Sequence, residues 1–224
     1  MGYGIQVLIK GQRACFSRPE FKSERVSYDV ITPSAARGLL EAVYWKPAIR
    51  WVIDRIEVLN AIKFDTFRRN ELGGKLSYRN AKAAMLSNSE FYTDASADRQ
   101  QRATLYLKDV AYIVTAHFEM TSAQGENDTP EKHYNIALRR LRRGQCFNQP
   151  YLGCREFAAQ VILVDENMLA DEKLKSVYAD VAEHNFGFML DDIDFDLGMT
   201  PHFFHAVMKR GLIDVEAARK EVLG

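Results

Sequence analysis

Two segments of similar design, each opening with Thr-Pro, do most to limit how this chain can fold. The first, "TPSAARGLLEAVYWKP", spans residues 32–47, and the second, "TPEKHYNIALRRLRRG", spans residues 129–144. In each segment the threonine is a favourable N-cap and the proline a favourable first helical residue. Apolar residues then recur at helical spacing, and Pro47 and Gly144 provide the stops. We therefore predict two helices that occupy equivalent places in the two halves of one α+β unit.

Strand-like sequence surrounds these helices at residues 4–9, 49–60, 102–120 and 154–166. Residues 61–70 continue the sheet as a hairpin or extend beyond it, and residues 102–120 make one long strand or two. The order β-α-β-β-α-β predicts a ferredoxin-like (βαββαβ, RRM-like) domain with both helices on one face of an antiparallel sheet. The apolar residues expected to face the core are Ala36, Leu39, Leu40, Val43, Tyr112, Val114, Ala116, Phe118, Met120, Tyr134, Ala137, Leu138 and Leu141. Gly38, inside the first helix, costs about 1 kcal/mol relative to alanine, which indicates close packing there.

Composition changes twice along the chain. Residues 71–101 are polar and contain a short helical stretch, "RNAKAAML", so we predict a helical insertion between strands. After residue 165, a polar, acidic stretch with some helical character (167–184) leads into two strand-like segments, "FGFMLDDIDFD" and "HFFHAVMKRGLIDV". We predict two domains: a ferredoxin-like domain over 1–165 and a small antiparallel β-rich domain over 166–224.

The formal net charge of zero hides an uneven distribution. Residues 1–164 carry 24 Lys and Arg against 17 Asp and Glu, a balance of +7, whereas residues 165–224 carry 6 against 13, a balance of −7. A basic body suggests an anionic partner, although a solvated surface of mixed charge is the simpler alternative. No apolar stretch is long enough for a transmembrane helix, so no membrane partner is expected. Three cysteines without zinc-site spacing suit a reducing cytoplasm.

Lys132 and His133 are the first candidates for chemistry. The first turn of a helix has unpaired backbone N–H groups and suits a phosphate, a lysine adds charge, and a histidine exchanges protons near neutral pH. RNA cleavage by internal attack needs these functions and requires no metal, because the nucleophile is already attached to the substrate. The alternative is a solvated helix start with a structural histidine. Tyr44 could share the site if Lys132 lowered its pKa, or could simply pack with Trp45 at a helix edge.

Arginines crowd the end of the second helix, at 139, 140, 142 and 143, and an aromatic-bearing loop, "GQCFNQPYLGCREF", follows them. Guanidinium groups pair with phosphates and aromatic rings stack on unpaired bases, so this combination suits RNA. Favourable charge at a helix C-terminus explains one or two of these arginines, but not four as readily. The candidate RNA-binding residues are Lys46, Arg68, Arg69, Arg139, Arg142 and Arg143.

Other site classes find no support. Asp192, Asp194 and Asp196 are spaced as in a calcium loop, but the glycine is misplaced and Phe203 stands where glutamate is needed. His202 and His205 have no third ligand in view. The sequence has no Walker loop and no GxSxG element. We therefore predict no metal and no cofactor.

Three blocks carry a family resemblance: "YDVITPSAARGLLEAVYWKP", "DRQQRATLYLKDVAYIVTAHF" and "GQCFNQPYLGCREF". In order and spacing they resemble the CRISPR-associated repeat-processing endoribonuclease of the subtype I-C system, a member of the RAMP group. The resemblance implies a ferredoxin-like domain, a smaller β-rich C-terminal domain, and cleavage of the CRISPR repeat hairpin at the 3′ base of its stem without metal. It also implies retention as a subunit of the interference complex with the processed guide RNA. The family's catalytic tyrosine and Lys-His pair correspond here to Tyr44, Lys132 and His133.

The expected chemistry leaves one role open: either His133 or Tyr44 takes the 2′-OH proton, while Lys132 stabilises the phosphorane. Two alternatives also remain. The protein could be a non-catalytic RNA-binding scaffold subunit of the same complex, or a duplex-DNA-binding module, which the basic body also permits.

Overall fold

One sheet organises this protein, which we describe from a computed structural model. Among the described residues, 3–21, 23–169, 174–195 and 197–222, nine strands join a single sheet. The elements in chain order are β1 Gly4–Ala14, β2 Arg25–Val26, α1 Pro33–Val43, β3 Ile49–Val58, β4 Phe64–Leu72, α2 Tyr78–Ser87, β5 Arg99–Met120, α3 Pro130–Arg142, β6 Gln160–Leu163, α4 Glu166–Leu169, β7 His184–Asp194, β8 Thr200–Lys209, β9 Leu212–Asp214 and α5 Val215–Val222.

The main path through the sheet is β6-β1-β5-β3-β9-β8-β7, and β2 and β4 pair with β5 outside this path. Along the path the pairs β1–β6, β1–β5 and β3–β5 are antiparallel. The 22-residue strand β5 is continuous, which decides between the two predictions of one long strand or two. Its N-terminal part pairs with β4 and its C-terminal part with β1 and β3. The result is a large antiparallel sheet with few helices.

Both Thr-Pro helices are confirmed, and so is their capping. Thr32 Oγ1 accepts a hydrogen bond from the Ala35 N–H, and Thr129 Oγ1 accepts one from the Lys132 N–H, each at 3.2 Å. Gly144 follows α3 with a φ of 61°, in the left-handed region where glycine is favoured. The predicted apolar stripes are buried or partly buried against the sheet. Capping and periodicity are local signals, so the sequence was sufficient to place these helices.

Two details of the prediction are wrong. Gly38 is not closely packed, because a Cβ built there would meet nothing within 4 Å. The strand predicted at 154–166 is limited to β6, since the chain before it turns on itself: the Leu152 N–H donates to the Phe157 carbonyl, and the Phe157 N–H to the Cys154 carbonyl, both at 2.8 Å. Backbone groups committed to this turn cannot join a ladder.

The C-terminal strands continue the same sheet, because β9 pairs with β3 and β8 pairs with β9. Arg219 on α5, a helix that the sequence analysis did not anticipate, donates to Asp191 on β7 and to the Ile53 carbonyl on β3. Among the described residues, the helical character predicted within 167–184 includes α4 and a 3-10 position at Leu174, and residues 170–173 lie outside the described residues. The division into domains near residue 165 stays a prediction.

Candidate active site

The end of α1 meets the start of α3 around a buried pair of side chains. Tyr44 is the C-cap residue of α1, and its backbone N–H donates to the Leu40 carbonyl. Its own carbonyl accepts from Trp51 Nε1 on β3 at 2.8 Å, which fixes the backbone. Tyr44 Oη lies 2.7 Å from Nδ1 of His133, in the first turn of α3. Both residues are only 2% exposed, so the fold brings together two of the predicted catalytic residues in a dry environment.

Asp128 adds a carboxylate to this pair and was missed by the sequence analysis. Its Oδ1 lies 2.9 Å from Lys132 Nζ and 3.3 Å from His133 Nε2. The Gly125 N–H donates to its Oδ2 at 3.0 Å. This backbone bond and the Lys132 ammonium lower the pKa of Asp128 to about 2, so it is ionised at neutral pH. Asp128 stands just before the N-cap residue Thr129, outside α3, so helical spacing did not point to it.

His133 keeps one ring nitrogen unpaired. Its Nε2 is buried and, although it is within ion-pair distance of Asp128, the angles are too poor for a hydrogen bond to any described group. A buried polar atom without a hydrogen bond is unfavourable, and such atoms are found at functional sites. Nδ1 faces Tyr44, so the ring nitrogen without a hydrogen bond among the described residues is Nε2.

Arg140, rather than Lys132, is the cation next to Tyr44. Its Nη1 donates to the Val43 carbonyl at 2.8 Å, and its guanidinium lies 5.2 Å from the centre of the Tyr44 ring. Burial raises the pKa of Tyr44, and the charge of Arg140 only partly opposes this effect. The expectation that Lys132 would lower this pKa is wrong, because the Lys132 side chain turns back to Asp128 and the Asn127 carbonyl.

The predicted RNA-binding residues fall into two groups. Lys46, Arg139, Arg142 and Arg143 are exposed around the ends of α1 and α3, and none makes an ion pair within the described ranges. Arg68 and Arg69 instead lie on β4. Arg68 is exposed, whereas Arg69 donates to Glu156 at 2.6 Å and lies over the Phe67 ring. Arg69 therefore anchors the loop before β6.

The residues set aside as metal ligands are not gathered. Within the part of the chain that the structure describes, no three His, Cys, Asp or Glu side chains are placed to share a metal ion. Asp192 binds the Arg37 guanidinium, and the His205 ring packs near Phe188. Asp196 lies outside the described residues. Nor does any described helix have the length and apolar character needed to cross a bilayer.

A buried tyrosine–histidine pair, a lysine beside it and a fringe of unpaired arginines form a site suited to proton transfer at a bound phosphate. On an antiparallel α+β scaffold, these features suit a protein that processes nucleic acid. Comparison with known proteins identifies the family. Residues 4–216 match the family model described as "CRISPR-associated protein (Cas_Cas5)", the Cas5d group.

Two curated relatives carry the same name, "CRISPR pre-crRNA endoribonuclease Cas5d". The protein from Mannheimia succiniciproducens is 52% identical over 219 residues, which is 96% of each chain. The protein from Thermus thermophilus is 46% identical over 155 residues, covering 69% of this chain and 62% of the relative. A solved structure described as a CRISPR-associated protein aligns with a TM-score of 0.69 at 25% identity, over 97% of this chain and 93% of the other. The chain belongs to the Cas5d family of CRISPR-associated proteins.

Proposed function

We propose that this protein is a pre-crRNA endoribonuclease: it binds the hairpin of the CRISPR repeat transcript and cuts at the 3′ base of the stem. The names of the Cas5d relatives support the activity. The observation that carries the proposal is the contact between Tyr44 and His133, 89 residues apart in sequence, beside Lys132. A scaffold protein has no need of a buried, half-paired histidine at this position.

The reaction is internal attack. The ribose 2′-oxygen forms a bond to the adjacent phosphorus and gives its proton to a base, while the bond from phosphorus to the 5′-oxygen breaks. The leaving 5′-oxygen takes up a proton from solvent. The products carry a 2′,3′-cyclic phosphate and a 5′-OH. Metal is not required, because the nucleophile is part of the substrate and a lysine can balance the charge of the phosphorane.

His133 is the better candidate for the base. Tyr44 keeps its proton at neutral pH because burial raises its pKa, so its hydroxyl can hold His133 Nδ1 in place. Nε2 then accepts the proton. This nitrogen lies 3.3 Å from Asp128 Oδ1, which also pairs with Lys132, and the Lys132 side chain is 46% exposed. An incoming phosphate competes with Asp128 for Lys132, and the opening of that ion pair gives the 2′-OH access to His133.

Cleavage of a labelled repeat hairpin in EDTA tests this function. Wild type is compared with Lys132→Ala/His133→Ala and with a matched control, Lys209→Ala/His184→Ala, whose residues are exposed on β7 and β8. We expect wild type and control to cut at one site. The Lys132/His133 variant should still bind the RNA but cut it at least about 100-fold more slowly. A wild type that binds tightly and never cuts is a scaffold. Loss of cutting in EDTA contradicts metal independence.

Affinity for RNA depends on the exposed arginines at the C-terminal end of α3. Replacing Arg142 and Arg143 with alanine removes two phosphate-neutralising charges, so binding weakens for every RNA sequence. The slope of log affinity against log salt falls by roughly 1–2. Filter binding at several salt concentrations measures this, with Lys108→Ala as a control, since Lys108 is paired with Asp65. An unchanged slope removes these arginines from the interface.

The remaining expectations belong to the same proposal. After cleavage the protein stays with the guide RNA as a subunit of the type I-C interference complex in the cytoplasm. Competition between hairpin RNA and duplex DNA tests the alternative DNA-binding function. We also infer a ferredoxin-like arrangement for β1, α1, β3, β5, α3 and β6, which the antiparallel order β6-β1-β5-β3 supports.

A further inference from the structure

A surface pocket of about 720 Å³ opens beside the candidate active site. It lies along α1 and is closed on its far side by the loop that follows α3. Three large aromatic side chains line it while remaining open to solvent: Trp45 at 51%, Phe147 at 77% and Tyr151 at 42% exposure. Exposed apolar groups concentrated in a concave site indicate that something binds there.

Gly38 forms part of the pocket wall. A glycine inside a helix is unfavourable by about 1 kcal/mol relative to alanine. No close backbone approach accounts for it, because a Cβ at this position would meet nothing within 4 Å. Its φ is not in the left-handed region either, so conformation does not demand glycine. What the missing side chain does is leave the pocket open along α1.

The aromatic wall is held rigidly. The Phe147 and Asn148 N–H groups both donate to the Ala42 carbonyl, at 2.8 and 3.1 Å, which fastens the loop to α1. Farther along the loop, Gly153 has a φ of 80°, and a Cβ there would lie 1.9 Å from the Cys15 carbonyl oxygen. The loop backbone therefore lies against Cys15, the residue that follows β1. Rings presented on a fixed backbone lose little conformational entropy when a flat ligand stacks on them.

Charged groups at the same pocket indicate the chemistry of the ligand. Lys46 at the rim is exposed and makes no ion pair with any described residue. Arg140 lines the pocket and also reaches the Val43 carbonyl and the Tyr44 ring, so one guanidinium borders both the pocket and the catalytic pair. The Glu41 carboxyl and the Asn148 amide supply polar groups that can pair with a base edge.

We propose that this pocket binds one unpaired nucleobase of the RNA, in a nucleotide next to the cleaved phosphate, by stacking it against the Trp45–Phe147–Tyr151 wall. The inference rests on the proposed function, because it takes the ligand to be the RNA substrate. Cations at the rim hold the phosphates on either side of the base, and the stacked base sets the register of the strand at Tyr44 and His133. The pocket thus selects which phosphate is cut.

The test uses binding rather than cleavage as its first readout. A set of repeat hairpins carries 2-aminopurine, a fluorescent base, at one unpaired position at a time on each side of the stem. We expect wild type to change the fluorescence at one position. Gly38→Leu fills the pocket and abolishes that change, with about tenfold weaker binding, which corresponds to the loss of one base–aromatic stack. Gly38→Ala, with a far smaller side chain, keeps the signal.

Two further variants show whether a lost signal comes from a filled pocket or from misfolding of the Gly38→Leu variant. Trp45→Ala/Phe147→Ala removes exposed rings and leaves α1 unchanged, and it must also lose the signal. Tyr92→Ala removes an 80%-exposed ring from residues 71–101, outside the residues that line the pocket, and must keep the signal. Circular dichroism and melting temperature check that each variant is folded. If Gly38→Leu and Trp45→Ala/Phe147→Ala both retain the fluorescence change, no base occupies the pocket.

The outcomes also separate this inference from the proposed function. If wild type cuts the RNA but no 2-aminopurine position responds, the pocket proposal alone fails. If one position responds and depends on Gly38 but nothing is cut, the pocket stands and the nuclease proposal fails. A third measurement is the quenching of Trp45 fluorescence by a small solute, which a ligand bound in the pocket prevents. If free nucleosides or peptides prevent quenching and the hairpin does not, the ligand is not the RNA and the inference is overturned.

Discussion

His133 shows how far the surroundings of one residue can depart from those of its sequence neighbours. Lys132 beside it is exposed and Tyr134 is partly buried, whereas His133 is fully buried between Tyr44 and Asp128. Nδ1 of the ring lies 2.7 Å from the Tyr44 hydroxyl. Nε2 has the Asp128 carboxylate nearby but makes no good hydrogen bond to it. A histidine held in this way has a fixed ring orientation and, among the described residues, one ring nitrogen without a hydrogen bond.

Asp128→Asn tests the role of the carboxylate in holding Lys132. The amide keeps the shape but loses the charge, so Lys132 keeps the Asn127 carbonyl but loses the ionic partner that orients it before RNA binds, and cleavage falls by about tenfold or more. We expect hairpin binding to be unchanged, and Asp180→Asn, an exposed position, to behave as wild type. Full activity in Asp128→Asn would show that the ion pair does not position the site.

The same substitution predicts a pH dependence of stability. The pKa of Asp128 is lowered to about 2 in the folded protein, so its contribution to stability is complete above the ordinary value of 3.8 and is lost as pH falls toward 2. The difference in melting temperature between wild type and Asp128→Asn should therefore be present at pH 7 and shrink between pH 4 and 2. A difference that stays constant over this range contradicts the assignment.

At the scale of the elements, α1 and α3 begin with the same kind of N-cap but carry different candidate roles. Thr32→Ala and Thr129→Ala each remove a side-chain acceptor for an N-terminal N–H, which costs about 1 kcal/mol of stability. Only α3 carries Lys132 and His133 in its first turn. We expect urea denaturation to show similar losses for the two variants, and cleavage assays to show a loss for Thr129→Ala alone. Equal losses of activity would make stability the common cause.

The loop after α3 depends on Gly153. Gly153→Ala places a methyl group into the Cys15 carbonyl and also strains a left-handed backbone, whereas Gly187→Ala, at φ 74° in β7, meets only the strain of about 1–2 kcal/mol. Thermal melting should show the larger loss for Gly153→Ala. If the two variants melt alike, the loop gives way easily and does not hold the aromatic wall in place.

At the scale of the whole molecule, the sheet crosses the predicted domain boundary. Ile56 on β3 is paired with Ile213 on β9, and both are buried. Acidic residues of the C-terminal part also pair with arginines, Asp192 with Arg37 of the basic body and Asp191 with Arg219. Some of the acidic residues of the C-terminal part are therefore neutralised by ion pairs within the protein.

Truncation after residue 165 distinguishes the two descriptions. If the chain has two domains, residues 1–165 stay folded after the truncation. If the sheet is one unit, the truncation exposes the edge of β3 and its buried Ile56, which promotes aggregation. We expect the truncated chain to aggregate, and the full chain to unfold in one transition by circular dichroism and tryptophan fluorescence. A soluble, cooperatively folding fragment would confirm the domain division instead.

The sequence by itself determined what depends on neighbours along the chain. Caps, helical periodicity and strand alternation placed α1, α3, β3 and β5, and the motif blocks were enough to suggest the family and its three candidate catalytic residues. These signals are local, because hydrogen bonds at a helix end and the facing of a side chain are set within a few residues. The position of the insertion helix α2 followed from the same kind of signal.

Only the tertiary structure decided which side chains meet. It placed Tyr44 against His133, Arg140 rather than Lys132 beside Tyr44, and Asp128 between Lys132 and His133. It also joined β9 to β3 and left the space over Gly38 open. Such contacts depend on how elements distant in sequence pack together, and burial then changes the chemistry of the groups that meet, as the raised pKa of Tyr44 shows.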